Sequence, residues 1–405
     1  MMKKFLHNLL YFLGSVLLSF ITWLIILLEV IIMTQPRSSY VRIIYEGRNI
    51  TRDIAPYLTQ FTFTDNSGGK ADDISLTLED RAGLWASSWF PEKGDRIKAV
   101  IVKIDGSQAC ALPCGEYEID SIDYSSPPRL ITIKAVSTAI TRNMRHERHN
   151  KNWENITLQT IAAELAGDNN LMLYYDGPNP FYERKTQAGI SDLEFLKSLC
   201  DDAGLSLKIH DMKMIIFDIE GNNERASVAT IKITDKNLLS WKFTTKSAKI
   251  YKGAKVCYHD PVKNETFSGE YYDANEEGSN EILEINERVE SFAEAQTLAE
   301  KRLSQANKNE VTGDLSLMGN VDLLAGNNLT IEGFGVFDGK YTIDKVTHSL
   351  GSGFTSQVSL SQGGSSKGKT KKQKLSRKTK ARQRVSGQTK QPDFSYEGAR
   401  YYGDE

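Results

Sequence analysis

Ile74, Leu76 and Leu78 alternate with Ser75, Thr77 and Glu79, which is the two-residue period of a strand with one buried face. The same texture begins near Tyr40 and predicts further strands over Arg96–Ile104, Gly115–Ile122 and Leu130–Val136. Turns are expected at Pro91-Glu92-Lys93-Gly94-Asp95 and at Ser125-Ser126-Pro127-Pro128. Several short strands at this spacing predict a small barrel or sandwich.

After Thr138 the period lengthens. Thr157 is placed to cap a helix whose apolar positions Leu158, Ile161, Ala162 and Leu165 share one face, with Gly167 expected to end it. Ser191 and Glu194 form a capping box for a second helix. Leu193, Leu196, Leu199 and Cys200 make its stripe, and Gly204 is placed to stop it. Strands over Leu205–His210 and Met214–Ile219 complete a compact α+β unit. From about Ala248 the two-residue period returns over Ala254–His259, Thr266–Tyr272, Gly313–Leu317, Asn328–Ile331, Tyr341–Ser349 and Thr355–Leu360. One helix interrupts these strands, opened by a capping box at Ser291 and Glu294 and continued by Ala295, Leu298, Ala299, Arg302, Leu303 and Ala306.

The expected fold is therefore mainly β with an α+β insertion: two barrel-like β domains over residues 34–140 and 248–362 flank a small α+β domain over 141–247. Two stretches fall outside this body. Residues 1–33 form a hydrophobic N-terminal segment in which Leu9 to Leu28 is apolar or weakly polar throughout, with Lys3 and Lys4 before it and Glu29 after. A run of about 20 such residues is long enough to span a bilayer. The lysines would then stay inside and everything from Thr34 onward would be exported. No small-residue cleavage site follows, so this reading is an uncleaved anchor. In the competing reading the protein starts at Met33, just before the first strand, and the hydrophobic run is upstream sequence. The strand-rich body favours Met33.

The second stretch, residues 363–405, is expected to be disordered, because it holds almost no large apolar residue before Phe394. Between Gly363 and Lys390 there are eleven basic residues and no acidic one. The chain carries a net charge of -2, and removing those eleven positive charges leaves -13 on the rest. An acidic body thus carries a basic tail. The tail has no aromatic interleaving within its basic part, so an electrostatic docking arm or a solvated end fits it better than a single-strand binding surface. Its aromatic end, Phe394-Ser395-Tyr396 through Tyr401-Tyr402, has the character of a short docking peptide. Otherwise the composition is that of an ordinary folded protein, with 40% hydrophobic and 25% charged residues among 405.

Candidate chemistry is sparse. Cys110, Cys114, Cys200 and Cys257 are too few for a disulfide framework in a chain this long. Cys110 and Cys114 are spaced to pair across a hairpin, although reduced thiols are the favoured reading. His146-Glu147-Arg148-His149 puts its histidines at i and i+3, whereas the helical zinc pair needs i and i+4. Gly333-Phe334-Gly335 with Gly339 suits a turn or bulge rather than a phosphate loop. Asp72, Asp73, Glu276 and Glu277 lack the flanking pattern of a glycosidase pair or a calcium loop and are expected in solvated turns. No catalytic, cofactor-binding or metal-ligating residue is assigned, and no enzyme activity or cofactor is expected.

Several segments, in order, resemble the phage late control protein D family of tail hub proteins, which is related to the hub part of type VI secretion spikes. They are Ala71-Asp72-Asp73-Ile74-Ser75-Leu76 with Trp85 and Trp89, Cys114-Gly115-Glu116-Tyr117-Glu118-Ile119-Asp120, and Trp153-Glu154-Asn155-Ile156-Thr157-Leu158. Ser191-Asp192-Leu193-Glu194-Phe195-Leu196, Tyr258-His259-Asp260-Pro261 and Val346-Thr347-His348-Ser349-Leu350 follow. The resemblance spans about Tyr40 to Leu360. It implies a structural baseplate hub protein of a contractile injection machine: a homotrimer whose two β domains per subunit build a pseudo-sixfold ring between tail tube and spike. DNA would pass through that ring without specific binding. In this setting Cys114, His259 and His348 become packing or strand residues. It also implies assembly in a bacterial cytoplasm and residence in a virion or phage-like particle. Two other readings are a membrane-anchored extracytoplasmic envelope-binding protein, resting on Leu9 to Leu28, and a tail-associated cell-wall hydrolase.

Overall fold

The computed structural model describes residues 37–106, 108–138, 142–210, 212–261, 264–273 and 280–362. The hydrophobic run Leu9–Leu28, the acidic pair Glu276-Glu277 and the basic tail lie outside the described residues. No helix among the described residues is long and apolar enough to cross a membrane.

The first β region holds β1 (Ser38–Tyr45), β2 (Arg48–Asn49), the short helix α1 (Thr51–Ile54), β3 (Leu58–Asn66), β4 (Asp73–Glu79), β5 (Arg96–Asp105), β6 (Gln108–Ser125) and β7 (Leu130–Ser137). Glu46 and Gly47 both have positive φ (44° and 78°), which lets two residues reverse the chain between β1 and β2. β4 is the keystone. Its Ile74 lies opposite Phe63 of β3, and its Leu76 opposite Phe61 of β3 and Ile133 of β7. All five side chains are buried in one core with Ile43, Ile97, Ile101 and Tyr117, so the alternation seen in the sequence is the alternation of a core-facing strand.

The middle region contains α2 (Arg142–His146), β8 (Arg148–Thr157), α3 (Leu158–Asp168), β9 (Met172–Asp176), β10 (Phe181–Ser191), α4 (Asp192–Asp202), β11 (Leu205–His210), β12 (Lys213–Asp218) and α5 (Ile219–Glu224). The expected caps are in place: Thr157 Oγ1 accepts from Thr160 N–H and Ser191 Oγ from Glu194 N–H. Two details differ from the expected pattern. α3 continues through Gly167 and ends at Asn169–Asn170, where Asn170 takes the left-handed conformation (φ 56°). The buried face of α4 uses Phe195 with Leu196, Leu199 and Cys200, while Leu193 sits at its margin, because Phe195 stacks on Trp153. β8 and β10 form an antiparallel pair that no clean alternation announces.

Beyond it come β13 (Ala229–Lys232), β14 (Leu238–Thr245), β15 (Gly253–Asp260), β16 (Glu265–Tyr272), β17 (Ile282–Ile285), α6 (Phe292–Asn307), β18 (Val311–Met318), β19 (Asn328–Glu332), β20 (Gly339–Leu350) and β21 (Phe354–Ser361). β15, β16 and β17 make a separate three-stranded sheet covered by α6, with its own core around Val256, Phe267, Leu298 and Leu303. The fit of helix to sheet depends on Gly269: a Cβ there would lie 2.4 Å from the Ala295 carbonyl carbon. β14, β18, β21 and β20 form a second sheet run, and β20 then pairs with β3 from Lys345↔Asn66 to Leu350↔Phe61. Strands 279 residues apart therefore join both β regions into one hydrogen-bonded path, β14-β18-β21-β20-β3-β4-β7-β6-β5-β1-β2. The molecule is mainly β, with the α+β section between its two β regions.

Candidate functional site

Where the three regions meet, ionisable side chains are buried. Asp65, near the end of β3, is 1% exposed, and Lys208 of β11 is 13% exposed at its side chain. Lys208 Nζ donates to Asp65 Oδ1 (2.7 Å) and to the Ala325 carbonyl (2.9 Å), while Ala325 N–H donates to Asp65 Oδ2 (2.7 Å). One ammonium thus ties the first β region, the α+β section and the loop before β19 together. Beside it, His210 Nδ1 lies 2.8 Å from Asp72 Oδ2, and Asn66 N–H donates to Asp72 Oδ1 at 2.9 Å. Burial pushes the Asp72 carboxyl above its ordinary range, opposed by its hydrogen bond to His210. Asp72 is therefore a buried structural acid and not part of a solvated turn, a role its Asp-Asp neighbourhood does not signal. Asp73 stands half-buried at the start of β4.

A second charged contact joins α4 to α6. Arg302 Nη2 lies 2.6 Å from Asp202 Oδ1 and 2.7 Å from Glu287 Oε1. Burial pushes the Asp202 carboxyl up to about 7, against the pull of the guanidinium. Glu290 adds a backbone link, accepting from Glu183 N–H (2.7 Å) and Arg184 N–H (3.0 Å) on β10.

The residues singled out in the sequence do not converge. Cys110 is exposed and Cys114 buried on the same strand, both free, and burial pushes the Cys114 thiol up to about 12. His149 follows α2 on β8 and sits 2.9 Å from Asp192 Oδ1. His259 bonds Thr266 across the β15–β16 pair. His348 is fully buried: Nε2 donates to the Leu323 carbonyl (3.1 Å), Nδ1 accepts from Ser356 Oγ (2.9 Å), and burial pulls its pKa down. Gly333 and Gly335 both have positive φ at a tight turn leading into β20. Among the described residues no group of three or more His, Cys, Asp or Glu side chains is placed to hold a metal ion.

The surface is more suggestive than the interior. The joined sheet ends on one side at β14, whose only described partner is β18, and on the other at β1 and β2. β14 presents Leu239 (54% exposed) and Trp241 (49%), with Trp241 packed edge-on against Phe334 at 5.4 Å. An exposed apolar edge strand offers unpaired backbone groups and is ordinarily covered in a working assembly. In the first β region the exposed Trp89 and the partly buried Tyr57 pack on the buried Trp85, with ring centroids 5.5 to 6.4 Å apart.

A family model described as phage tail baseplate hub (GPD) matches residues 138–354. The probable baseplate hub protein of Escherichia phage P2 is 32% identical over 127 residues, which are 31% of this chain and 31% of that protein. The probable baseplate hub protein of Escherichia phage 186 is 23% identical over 363 residues, covering 78% of this chain and 90% of the relative. Among solved structures, the tail protein from Neisseria meningitidis MC58 superposes with a TM-score of 0.61 at 13% identity, over 80% of this chain and 97% of that one. The 43 kDa tail protein of prophage MuSo2 from Shewanella oneidensis gives 0.61 at 14%, over 80% and 98%. At these identities the two structures show a shared fold.

Proposed function

The chain belongs to the phage tail baseplate hub family, and from that premise we propose that it works as a ring-forming adaptor between a tail tube and a spike. It is a structural tail protein of a virion or phage-like particle, and no reaction is assigned to it. The finer reading is a homotrimer in which residues 34–140 and 248–362 supply two barrel-like β units per subunit. Residues 141–247 are taken as the insertion between them, although their last strands, β13 and β14, hydrogen-bond to strands of the last unit, so the α+β part proper runs to Glu224. Six similar units in a trimer would match a sixfold tube on one side and a threefold spike on the other.

The observation that carries this reading is the pairing of β20 with β3. It joins the two β regions in one hydrogen-bonded sheet whose end strands have no further strand partner among the described residues, a geometry that suits head-to-tail neighbours in a closed ring. The net charge of -10 over residues 1–362 suits a conduit through which DNA slides, since an acidic wall gains nothing from counterion release. Assembly in the host cytoplasm follows if translation starts at Met33.

Cross-linking mass spectrometry on purified particles tests the adaptor role. The expected result is cross-links from this chain to both a tube and a spike component, with Met33 or its successor as the first residue. Recovery of the intact N-terminus in the membrane fraction, with the chain missing from particles, would instead support the anchored envelope-binding reading. Turnover of purified peptidoglycan by the chain would support the hydrolase reading.

A further inference from the structure

Between β1, α1 and the loop that follows β4, the first β region opens into a cavity of about 690 Å³. The buried part of its lining is aliphatic, with Ile43, Leu76, Leu78 and Ile97 belonging to the core of that region. The exposed part is aromatic: Trp89 is 39% exposed and Phe90 52%. Arg48 and Asp53 are the charged residues of the lining, and they face each other at 3.8 Å.

One polar group of the lining is left over. Trp85 is 7% exposed, and its indole Nε1–H is buried with no acceptor among the described residues. A buried donor without an acceptor costs free energy. An occupant suited to this cavity therefore brings an oxygen along with its apolar surface. A tyrosine, or an aromatic residue with its own backbone carbonyl, meets both needs, and an aliphatic side chain alone does not.

The chain carries such a segment. Phe394, Tyr396, Tyr401 and Tyr402 gather four rings within residues 394–402, after a stretch over 363–393 whose large apolar side chains are Leu375 and Val385. We propose that residues 394–402 dock in this cavity of their own chain, with rings against Trp89 and Phe90 and an oxygen accepting from Trp85 Nε1–H. The reach is sufficient. Ser361 pairs with Thr342 on β20, Leu350 at the far end of β20 pairs with Phe61, and Tyr57 of the cavity lies just before β3. Along these strands the path is about 40 Å at about 3.4 Å per residue. The 31 residues between Gln362 and Phe394 span up to about 105 Å. The basic stretch Lys367–Lys390 is no rival occupant, since the one carboxylate of the lining already faces Arg48. Tethering makes the contact intramolecular, so a segment too weak to bind from solution still fills the site. The proposal does not depend on the ring described above.

Tryptophan oxidation footprinting of the full chain, read by mass spectrometry, tests it. The comparison is with a variant carrying Phe394→Ser, Tyr396→Ser, Tyr401→Ser and Tyr402→Ser. With about nine-tenths of the cavities filled in the parent, oxidation at Trp89 should be about tenfold faster in the variant, while Trp241 on β14 keeps its rate. A synthetic peptide of residues 392–405 added to the variant should restore the protection, and the same peptide with the four serines should not. Equal Trp89 rates in parent and variant would overturn the proposal; if both are slow, another group or a second copy covers the cavity. A matching rise at Trp241 would also overturn it, because the substitutions would then have loosened the body as a whole. So would protection of the parent that fades on dilution, since a tethered segment binds independently of concentration.

Discussion

Lys208 is held where only 13% of its side chain meets solvent, and its charge is balanced by Asp65 and a carbonyl dipole. Such a pair adds little net stability compared with an apolar filling, but removing one partner strands the other charge in the interior. Lys208→Met should therefore cost about 3–5 kcal/mol, measured by urea unfolding, whereas Asp65→Leu combined with Lys208→Met should recover part of that loss. A single variant as stable as the parent would mean that water reaches Asp65 freely. The same cluster marks a limit of sequence reading. Asp65, Lys208 and Ala325 lie 143 and 117 residues apart in sequence, and nothing local to any of them encodes the meeting. Asp72 was legible only as an acidic residue before a strand. Its burial is a consequence of β11 arriving with His210.

At the scale of elements, α6 is the most exposed to perturbation. It rests on β16 through Gly269, where a side chain would meet helix backbone that cannot swing aside. Gly269→Ala should destabilise by about 1–3 kcal/mol, the usual cost of overpacking, and near-ultraviolet circular dichroism should show loosening around the Phe267–Phe292 ring pair. An unchanged melting curve would contradict the close approach. The contact of α6 with α4 carries a pH dependence. The Asp202 carboxyl is raised from 3.8 to about 7 by burial, so the folded state holds a proton there that the unfolded chain has released. That contribution is full below about pH 4 and is lost as pH rises through about 7. Asp202→Asn, which cannot ionise, should therefore melt progressively higher relative to the parent as pH is raised from 4.5 to 7.5, a range set by about the two pKa values. A variant that becomes relatively worse over that range would mean that the Arg302 ion pair outweighs desolvation. The elements themselves were largely readable. Capping boxes placed α4 and α6, and strict alternation placed β4, whose apolar face is buried against one core; β5, β7 and β11 were also expected as strands. β8, β10 and β14 were not readable. In β14, Leu239, Ser240, Trp241 and Lys242 are all exposed, so no inside and outside alternate along that stretch.

For the whole molecule, the sequence pattern anticipated a β-rich body divided by an α+β section, and the order of the family's segments pointed to a tail hub. The β20–β3 pairing that makes one sheet of the two β regions has no local signature, since register between strands 279 residues apart is settled by packing and not by period. Among the described residues β14 and the β1–β2 edge have no further strand partner, and the proposed ring is what would cover them. Light scattering of the purified chain under mild salt tests this most directly. The ring predicts a single species of three times the mass of the chain that starts at Met33, falling apart when Leu239 and Trp241 are both replaced by lysine. A parent protein that stays at one chain mass across the concentration range in which tails assemble would contradict it.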